Sequence, residues 1–147
     1  MNLFDLTGKT AIITGSSRGI GRAIAEAFAD AGANVVISSR KQDACDAVAA
    51  AINEGCRALR AIAIAASISD KAALETMVSK AQQHFGQIDI LVCNAASNPY
   101  YGPMAGITDE QFRKILENNV IANHWLIQMV LPQMVERRDG SVIIVSS

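Results

Sequence analysis

Thr10-Ala11-Ile12-Ile13-Thr14-Gly15-Ser16-Ser17-Arg18-Gly19-Ile20-Gly21 is the stretch on which the fold turns. Its first five residues are apolar or β-branched, as a buried strand requires. Gly15, Gly19 and Gly21 follow, and Ile20, Ala23, Ile24, Ala27 and Phe28 then recur at helical spacing. A strand that hands over to a helix through a glycine-bearing turn gathers backbone N–H groups and the positive end of the helix dipole at one point. Glycine there lets the chain tighten and lets the backbone approach a pyrophosphate. The spacing is not that of a GxxxxGK loop, so a phosphoryl-transfer reading lacks its lysine. The competing reading is a tight turn with glycines for packing alone.

Outward from this stretch the alternation repeats. Gly32 stops the first helical run, and Asn34-Val35-Val36-Ile37-Ser38-Ser39 reads as a second strand. Residues 42–53 are an Ala-rich helix ending near Gly55, and residues 59–65 a third strand. Leu74, Met77, Val78, Ala81 and Phe85 make the next helical face, closed by Gly86. Ile88-Asp89-Ile90-Leu91-Val92-Cys93 is a fourth strand, after which Asn98-Pro99 and Gly102-Pro103 break the chain. Thr108 looks like a cap for helical residues 109–137, as one long or two abutting segments ended by Gly140, and Val142-Ile143-Ile144-Val145 is a fifth strand. Such alternation implies right-handed crossovers and a parallel sheet with helices on both faces. Strands that are apolar throughout fit burial on both sides. The expected class is α/β, a three-layer α-β-α domain over residues 1–147. Ser147 stands directly after the fifth strand, where the sheet wants another covering element, so the domain is expected to be truncated there.

Composition narrows the function classes. Half of the 147 residues are hydrophobic and 18% are charged, enough for a core and too little charge for a disordered tail. Fourteen acids against thirteen bases leave a formal net charge of −1. Such a chain has no bulk attraction for nucleic acid or an anionic membrane, and neither partner is expected. Cys45, Cys56 and Cys93 are an odd count without CxxC spacing, which argues against a disulfide framework and for a reducing, cytoplasmic setting. His84 and His124 have no partner at metal-ligand spacing, so no metal is expected. The first six residues are unlike a secretory signal, and no stretch nears the roughly 18 apolar residues of a membrane helix.

The second strand ends at Ser38-Ser39-Arg40-Lys41. A site that prefers NAD places an acid here for the ribose 2′-hydroxyl. This chain has none before Asp43, and offers Arg40 together with Arg18 of the glycine loop. Two guanidinium groups suit a dianionic 2′-phosphate, which favours NADP(H) over NAD(H). A merely solvated basic strand end is the alternative.

The loop from Thr14 to Gly21, the segment Cys93-Asn94-Ala95-Ala96, Asn119 within Glu117-Asn118-Asn119-Val120, and Gly140-Ser141-Val142-Ile143-Ile144-Val145-Ser146-Ser147 together resemble the short-chain dehydrogenase/reductases. The resemblance runs the length of the chain. Ser38-Ser39-Arg40-Lys41-Gln42 with Asn94-Ala95-Ala96-Ser97-Asn98-Pro99 is similar to the NADP-dependent carbonyl and retinol reductase branch. It implies a Rossmann-type fold and hydride exchange between a nicotinamide and a small-molecule carbonyl or alcohol. It implies that Gly15, Gly19 and Gly21, with Ile20 between them, face the pyrophosphate. Ser17 and Arg18 then lie near the adenosine phosphate, Arg40 holds the 2′-phosphate, and Asn94, Ala95 and Ala96 line the cofactor. Asn119 is the helix asparagine of a catalytic tetrad, holding a proton-relay water, and Ser147 is the serine that bonds the substrate oxygen. The complete enzyme is expected to be a dimer or tetramer.

The chain departs from the family in three places. Cys93 and Ala96 stand where the pattern Asn-Asn-Ala-Gly has its first Asn and its Gly, and Ser67 stands where an Asp binds the adenine amine. The family's Tyr-x-x-x-Lys pair is not present: four residues beyond Tyr100 and Tyr101 stand Met104 and Ala105. A general acid supplies roughly 10²–10⁴-fold, so these residues alone are expected to bind cofactor without efficient turnover. Two other readings are a nucleotide-binding module without catalysis and an interaction fragment that pairs through its fifth strand. Residues 98–102 read as a substrate-contacting loop or an ordinary turn, Cys93 as a buried small hydrophobe, and residues 136–139 as a solvated helix end.

Overall fold

A computed structural model describes residues 3–56 and 59–146. β1 (Thr10–Thr14) is buried along its whole length, because it is the central strand of the sheet. The strands are parallel and ordered β3-β2-β1-β4-β5, with β2 (Asn34–Ser38), β3 (Ala61–Ala63), β4 (Ile90–Cys93) and β5 (Ser141–Ile144). The chain winds outward from β1 through β2 to β3, then crosses back to place β4 on the other side of β1. That reversal is the switch point of a doubly wound, Rossmann-type sheet, where ligands lie beyond the carboxyl ends of the strands.

Side-chain alternation sorts the strand residues into two cores. Ala11, Ile13, Val35, Ile37 and Val92 pack with Ala25 and Ala29 of α1 (Gly19–Asp30) and with Cys45, Val48 and Ile52 of α2 (Gln42–Gly55). Ile12, Val36, Leu91 and Cys93 pack on the opposite face. There they meet Leu74, Met77 and Ala81 of α3 (Lys71–Phe85) and Leu126, Val130 and Met134 of α5 (Ala122–Arg137). The three-layer α-β-α architecture follows. Complete burial of a Leu or Ile side chain contributes about 1.5–3 kcal/mol, so the unbroken apolar runs stabilise both layers at once.

Helix starts and stops are locally encoded. Asp70 caps α3 by accepting from Ala73 N at 3.1 Å. Thr108 and Gln111 form a reciprocal capping box at the start of α4 (Asp109–Leu116). Residues 109–137 are one continuous helical run, in which a π turn (Glu117–Ile121) joins α4 to α5. Gly86 ends α3 at φ +89°, as its position after Phe85 predicts. The long run ends differently from the expectation at Gly140: Arg138 takes the left-handed cap conformation at φ +55°.

Several strand ends differ from the sequence reading. β3 is shorter than residues 59–65, although Ile64 N and Ala66 N continue bonding to Ile37 O and Ser39 O. β4 starts at Ile90 rather than Ile88, β2 stops at Ser38 rather than Ser39, and β5 is shifted back by one residue. The reason at β4 is Asp89. Buried to 2% exposure, its carboxylate accepts from Thr10 N at 2.9 Å, from Gln87 Nε2 at 2.8 Å and from Arg137. Arg137 also donates to Ile88 O at 2.9 Å. The segment 136–139 is therefore not simply a solvated helix end, because Arg137 ties α5 to the amino-terminal edge of the sheet. Asp89→Ala leaves these donors without their acceptor and is expected to cost roughly 2–4 kcal/mol. A lowered urea midpoint at constant slope is the readout, and an unchanged midpoint rejects the role.

Candidate functional site

Three turns meet at the carboxyl ends of the strands. The β1–α1 turn carries Gly15, Ser17 and Arg18, the first turn of α1 carries Gly19, Ile20 and Gly21, and the β2–α2 turn carries Arg40. The segment after β4 carries Asn94, Ala95 and Ala96.

Hydrogen bonds from small polar side chains lock them together. Thr14 Oγ1 accepts from the amides of both Asn94 and Ala95 at 3.0 Å. Asn94 Nδ2 returns to Thr14 O at 3.1 Å and Gly15 O at 3.2 Å. Fully buried Ser16 donates its hydroxyl to Ile13 O at 2.7 Å and accepts from Ser38 N at 2.9 Å, while Ser16 N donates to Ser38 O at 3.0 Å. The β1–α1 turn is thus fastened to β4 on one side and to β2 on the other.

The glycines divide by role. Gly15, at φ +65°, sits against Ala95: a Cβ there meets Ala95 Cα at 2.9 Å. A Cβ on Gly21 collides with Gly15 O, so Gly21 lets α1 pack under the turn. Gly19 is also left-handed, at φ +58°, but a Cβ there meets nothing within 4 Å. Its backbone faces open space at the first turn of α1, which begins with no side-chain cap. Its Arg18 N-cap residue is extended. No side chain caps that end, as at α2 and unlike α3 and α4.

Arg18 and Arg40 are exposed, and their guanidinium groups have no hydrogen-bond or ion-pair partner among the described residues. Ile20 is 64% exposed. Cys93 is buried, and that burial pushes its thiol up to about 11.

Asn119 lies in the π turn and grips the segment after β4. Its Oδ1 accepts from Ser97 N and its Nδ2 donates to Ser97 O, both at 2.9 Å. Asn118 Nδ2 donates to Ser97 Oγ at 2.6 Å, and Asn119 O accepts from Asn123 Nδ2 at 3.0 Å. Ser147 lies outside the described residues. Tyr100 donates its hydroxyl to Pro103 O at 2.7 Å, and Tyr101 is fully exposed. No metal-binding group of His, Cys, Asp and Glu occurs among the described residues.

Sequence reasoning missed Thr14, Ser16, Ser97 and Asn118 as site-building residues. Each is a small polar side chain, whose bond to a group distant in sequence leaves no periodic trace. The buried serine between Gly15 and Arg18 is the one visible hint.

The family model described as short chain dehydrogenase matches residues 9–147. The chain belongs to the short-chain dehydrogenase/reductase family. Dehydrogenase/reductase SDR family member 4 of Rattus norvegicus is 44% identical over 143 residues, covering 97% of this chain and 50% of that protein. Dehydrogenase/reductase SDR family member 2, mitochondrial, of Homo sapiens is 42% identical, with 97% and 50% covered. The crystal structure of hydroxysteroid dehydrogenase from Escherichia coli superposes with a TM-score of 0.88 at 35% identity, covering 98% of this chain and 57% of that one. That of a short-chain type dehydrogenase/reductase from Mycobacterium marinum gives 0.89 at 35%, with 99% and 58% covered. The chain spans about half the length of the curated relatives it matches. The family consists of oxidoreductases that use nicotinamide cofactors. No helix among the described residues is long and apolar enough to cross a membrane.

Burial makes a chemical prediction. A thiol with its pKa near 11 is almost wholly protonated at about pH 8, and the thiolate is the nucleophile. Limited iodoacetamide treatment of the folded protein is expected to label half-buried Cys56 ahead of Cys93. Peptide mass mapping that finds Cys93 alkylated first contradicts the packing.

Proposed function

We propose that residues 1–147 are the dinucleotide-binding domain of an NADP(H)-dependent oxidoreductase acting on a small-molecule carbonyl or alcohol. The observation that carries the cofactor choice is a pair of exposed cations, Arg18 and Arg40, without anionic partners among the described residues, on turns stitched by Ser16 and Ser38. The nearest acid, Asp43, gives one carboxylate oxygen to Ala44 N at the start of α2. A ribose 2′-phosphate supplies the charge these guanidiniums lack.

The residues fit such a cofactor. The uncapped α1 terminus and the open face of Gly19 receive a pyrophosphate, with Gly15 and Gly21 setting the turn and Ser17 and the Ile20 amide bordering it. Asn94, Ala95 and Ala96 form the wall after β4. When bound, the nicotinamide supplies or accepts the hydride. Asn119 holds the wall through Ser97 and serves the proton relay, and Ser147 orients the substrate oxygen. A tyrosine general acid with its lysine is needed for turnover, and Tyr100 and Tyr101 lack that lysine. Residues 1–147 alone therefore bind cofactor without efficient turnover. A homo-oligomeric, cytoplasmic enzyme completes the proposal.

Titration of the intact protein with NADPH and NADH, followed by nicotinamide fluorescence, tests it. Arg40→Ala is expected to weaken NADPH about 10–100-fold, as loss of charge-assisted bonds to a phosphate does, and to leave NADH nearly unchanged. Equal loss for both defeats the 2′-phosphate assignment. Absence of any binding at about millimolar NADPH removes the nucleotide reading itself.

A further inference from the structure

β3 is an edge strand, and its two sets of backbone groups go to different partners. Val35 N donates to Arg60 O, Ile64 N to Ile37 O and Ala66 N to Ser39 O, so these groups of the even-numbered residues face the second strand, while Arg60 N donates to Asn53 Oδ1 at 2.9 Å. The odd-numbered residues Ala61, Ala63 and Ala65 turn their groups to the open edge, where helix α2 meets them with two side-chain amides. Asn53 Nδ2 donates to Ala61 O and its Oδ1 accepts from Ala61 N, each at 2.9 Å. Gln42 Nε2 donates to Ala63 O at 3.0 Å and its Oε1 accepts from Ala65 N at 2.9 Å. Each amide makes the donor-and-acceptor pair a neighbouring strand makes.

The spacing is fitted to this task. Gln42 and Asn53 are eleven residues apart, about three helical turns, which puts them on one face some 16 Å apart. Residues 61–65 span about 13 Å of strand. The helix acts as a splint along an edge that is otherwise open to pairing.

The two ends of the splint face different neighbourhoods. Asn53 acts where β3 begins, at the amino-terminal side of the sheet. Gln42 acts where β3 ends, at the ligand side. In a doubly wound sheet the turn after β1 takes the pyrophosphate and the end of β2 the adenosine ribose, so the end of β3 is the next surface outward. Gln42 follows Arg40 and Lys41 directly and fixes Ala63 and Ala65, while Ala66 N bonds Ser39 O. One side chain thereby couples the β2–α2 turn to the β3–α3 turn. We propose that Gln42 is a positioning residue for the adenosine half of the dinucleotide. It acts through the 63–66 backbone, and Asn53 serves stability alone. This rests on the nucleotide-binding reading above.

The test compares Gln42→Met and Gln42→Ala with Asn53→Met in the intact protein. The readouts are calorimetric titration with 5′-ADP and with 2′,5′-ADP, alongside Tm. Both Gln42 variants are expected to bind the two fragments about fivefold to tenfold more weakly, the scale of losing one or two hydrogen bonds. Asn53→Met is expected to lower Tm at least as much while keeping both affinities within about twofold. Gln42 is exposed in the first turn of α2, so its variants fold, and the alanine variant serves if the longer side chain disturbs packing. Unchanged affinity in both Gln42 variants, or equal weakening by Asn53→Met, overturns the proposal. Wild-type protein that binds 5′-ADP as tightly as 2′,5′-ADP defeats the NADP(H) preference, and leaves the Gln42 comparison to be read on either fragment. Wild-type protein that binds neither overturns both.

Discussion

Where β1 and β4 part at the ligand end of this fold, one hydroxyl holds them in register. β1 and β4 are paired over Ala11–Ile90, Ile12–Leu91 and Ile13–Val92, and beyond that the two chains diverge toward different helices. Divergence at a switch point leaves backbone groups without a neighbouring strand, and buried unpaired amides are costly. Thr14 Oγ1 takes the two amides of Asn94 and Ala95, and the Asn94 side chain answers on Thr14 O and Gly15 O. The strands are released from one another, yet the crevice between them keeps its shape. A valine of the same volume at position 14 packs as well but strands both amides.

Much of the architecture was legible because it is periodic. Each helix and strand of the doubly wound sheet stands on an apolar run or a 3.6-residue stripe, and Gly86, Asp70 and Thr108 mark helix ends by ordinary capping chemistry. Two of the misplaced boundaries have an identifiable cause. At β4 the buried carboxylate of Asp89 takes over bonds that strand pairing supplies elsewhere, and at the end of α5 Arg138 stands in for a glycine. Side-chain bonds across 48 to 79 residues of sequence have no local signature. The glycine turn was legible for the opposite reason, since its φ values and close approaches demand particular residues at fixed spacing.

The glycines also explain why recognising the motif is not the same as locating the ligand surface. Gly15 and Gly21 are spent on internal packing, against Ala95 and against each other. Of the three turn glycines, Gly19 alone combines a left-handed backbone with an unobstructed face, as Gly8 and Gly86 do elsewhere in the fold. An alanine there pays the left-handed penalty of roughly 1–2 kcal/mol but meets no atom of the protein, so steric pressure from the fold does not require glycine's bareness at that point. The left-handed backbone by itself accounts for glycine there, at the start of a helix that carries no side-chain cap.

The π turn answers a parallel question about Asn119. Successive residues of an α-helix point about 100° apart, so neighbours do not ordinarily share a target. Asn118 and Asn119 nevertheless both bond Ser97, one at its hydroxyl and the other at both backbone groups. The wider π turn brings them round to the same residue. The arrangement carries a cost: Asn118 Oδ1 is buried and accepts no hydrogen bond among the described residues, a debit of roughly 1–3 kcal/mol. A regular helix with an apolar residue at 118 avoids it. Costs of this kind persist where geometry matters more than stability. Here the geometry retained is the placement of Asn119 against the wall of the crevice that Thr14 holds open from the other side.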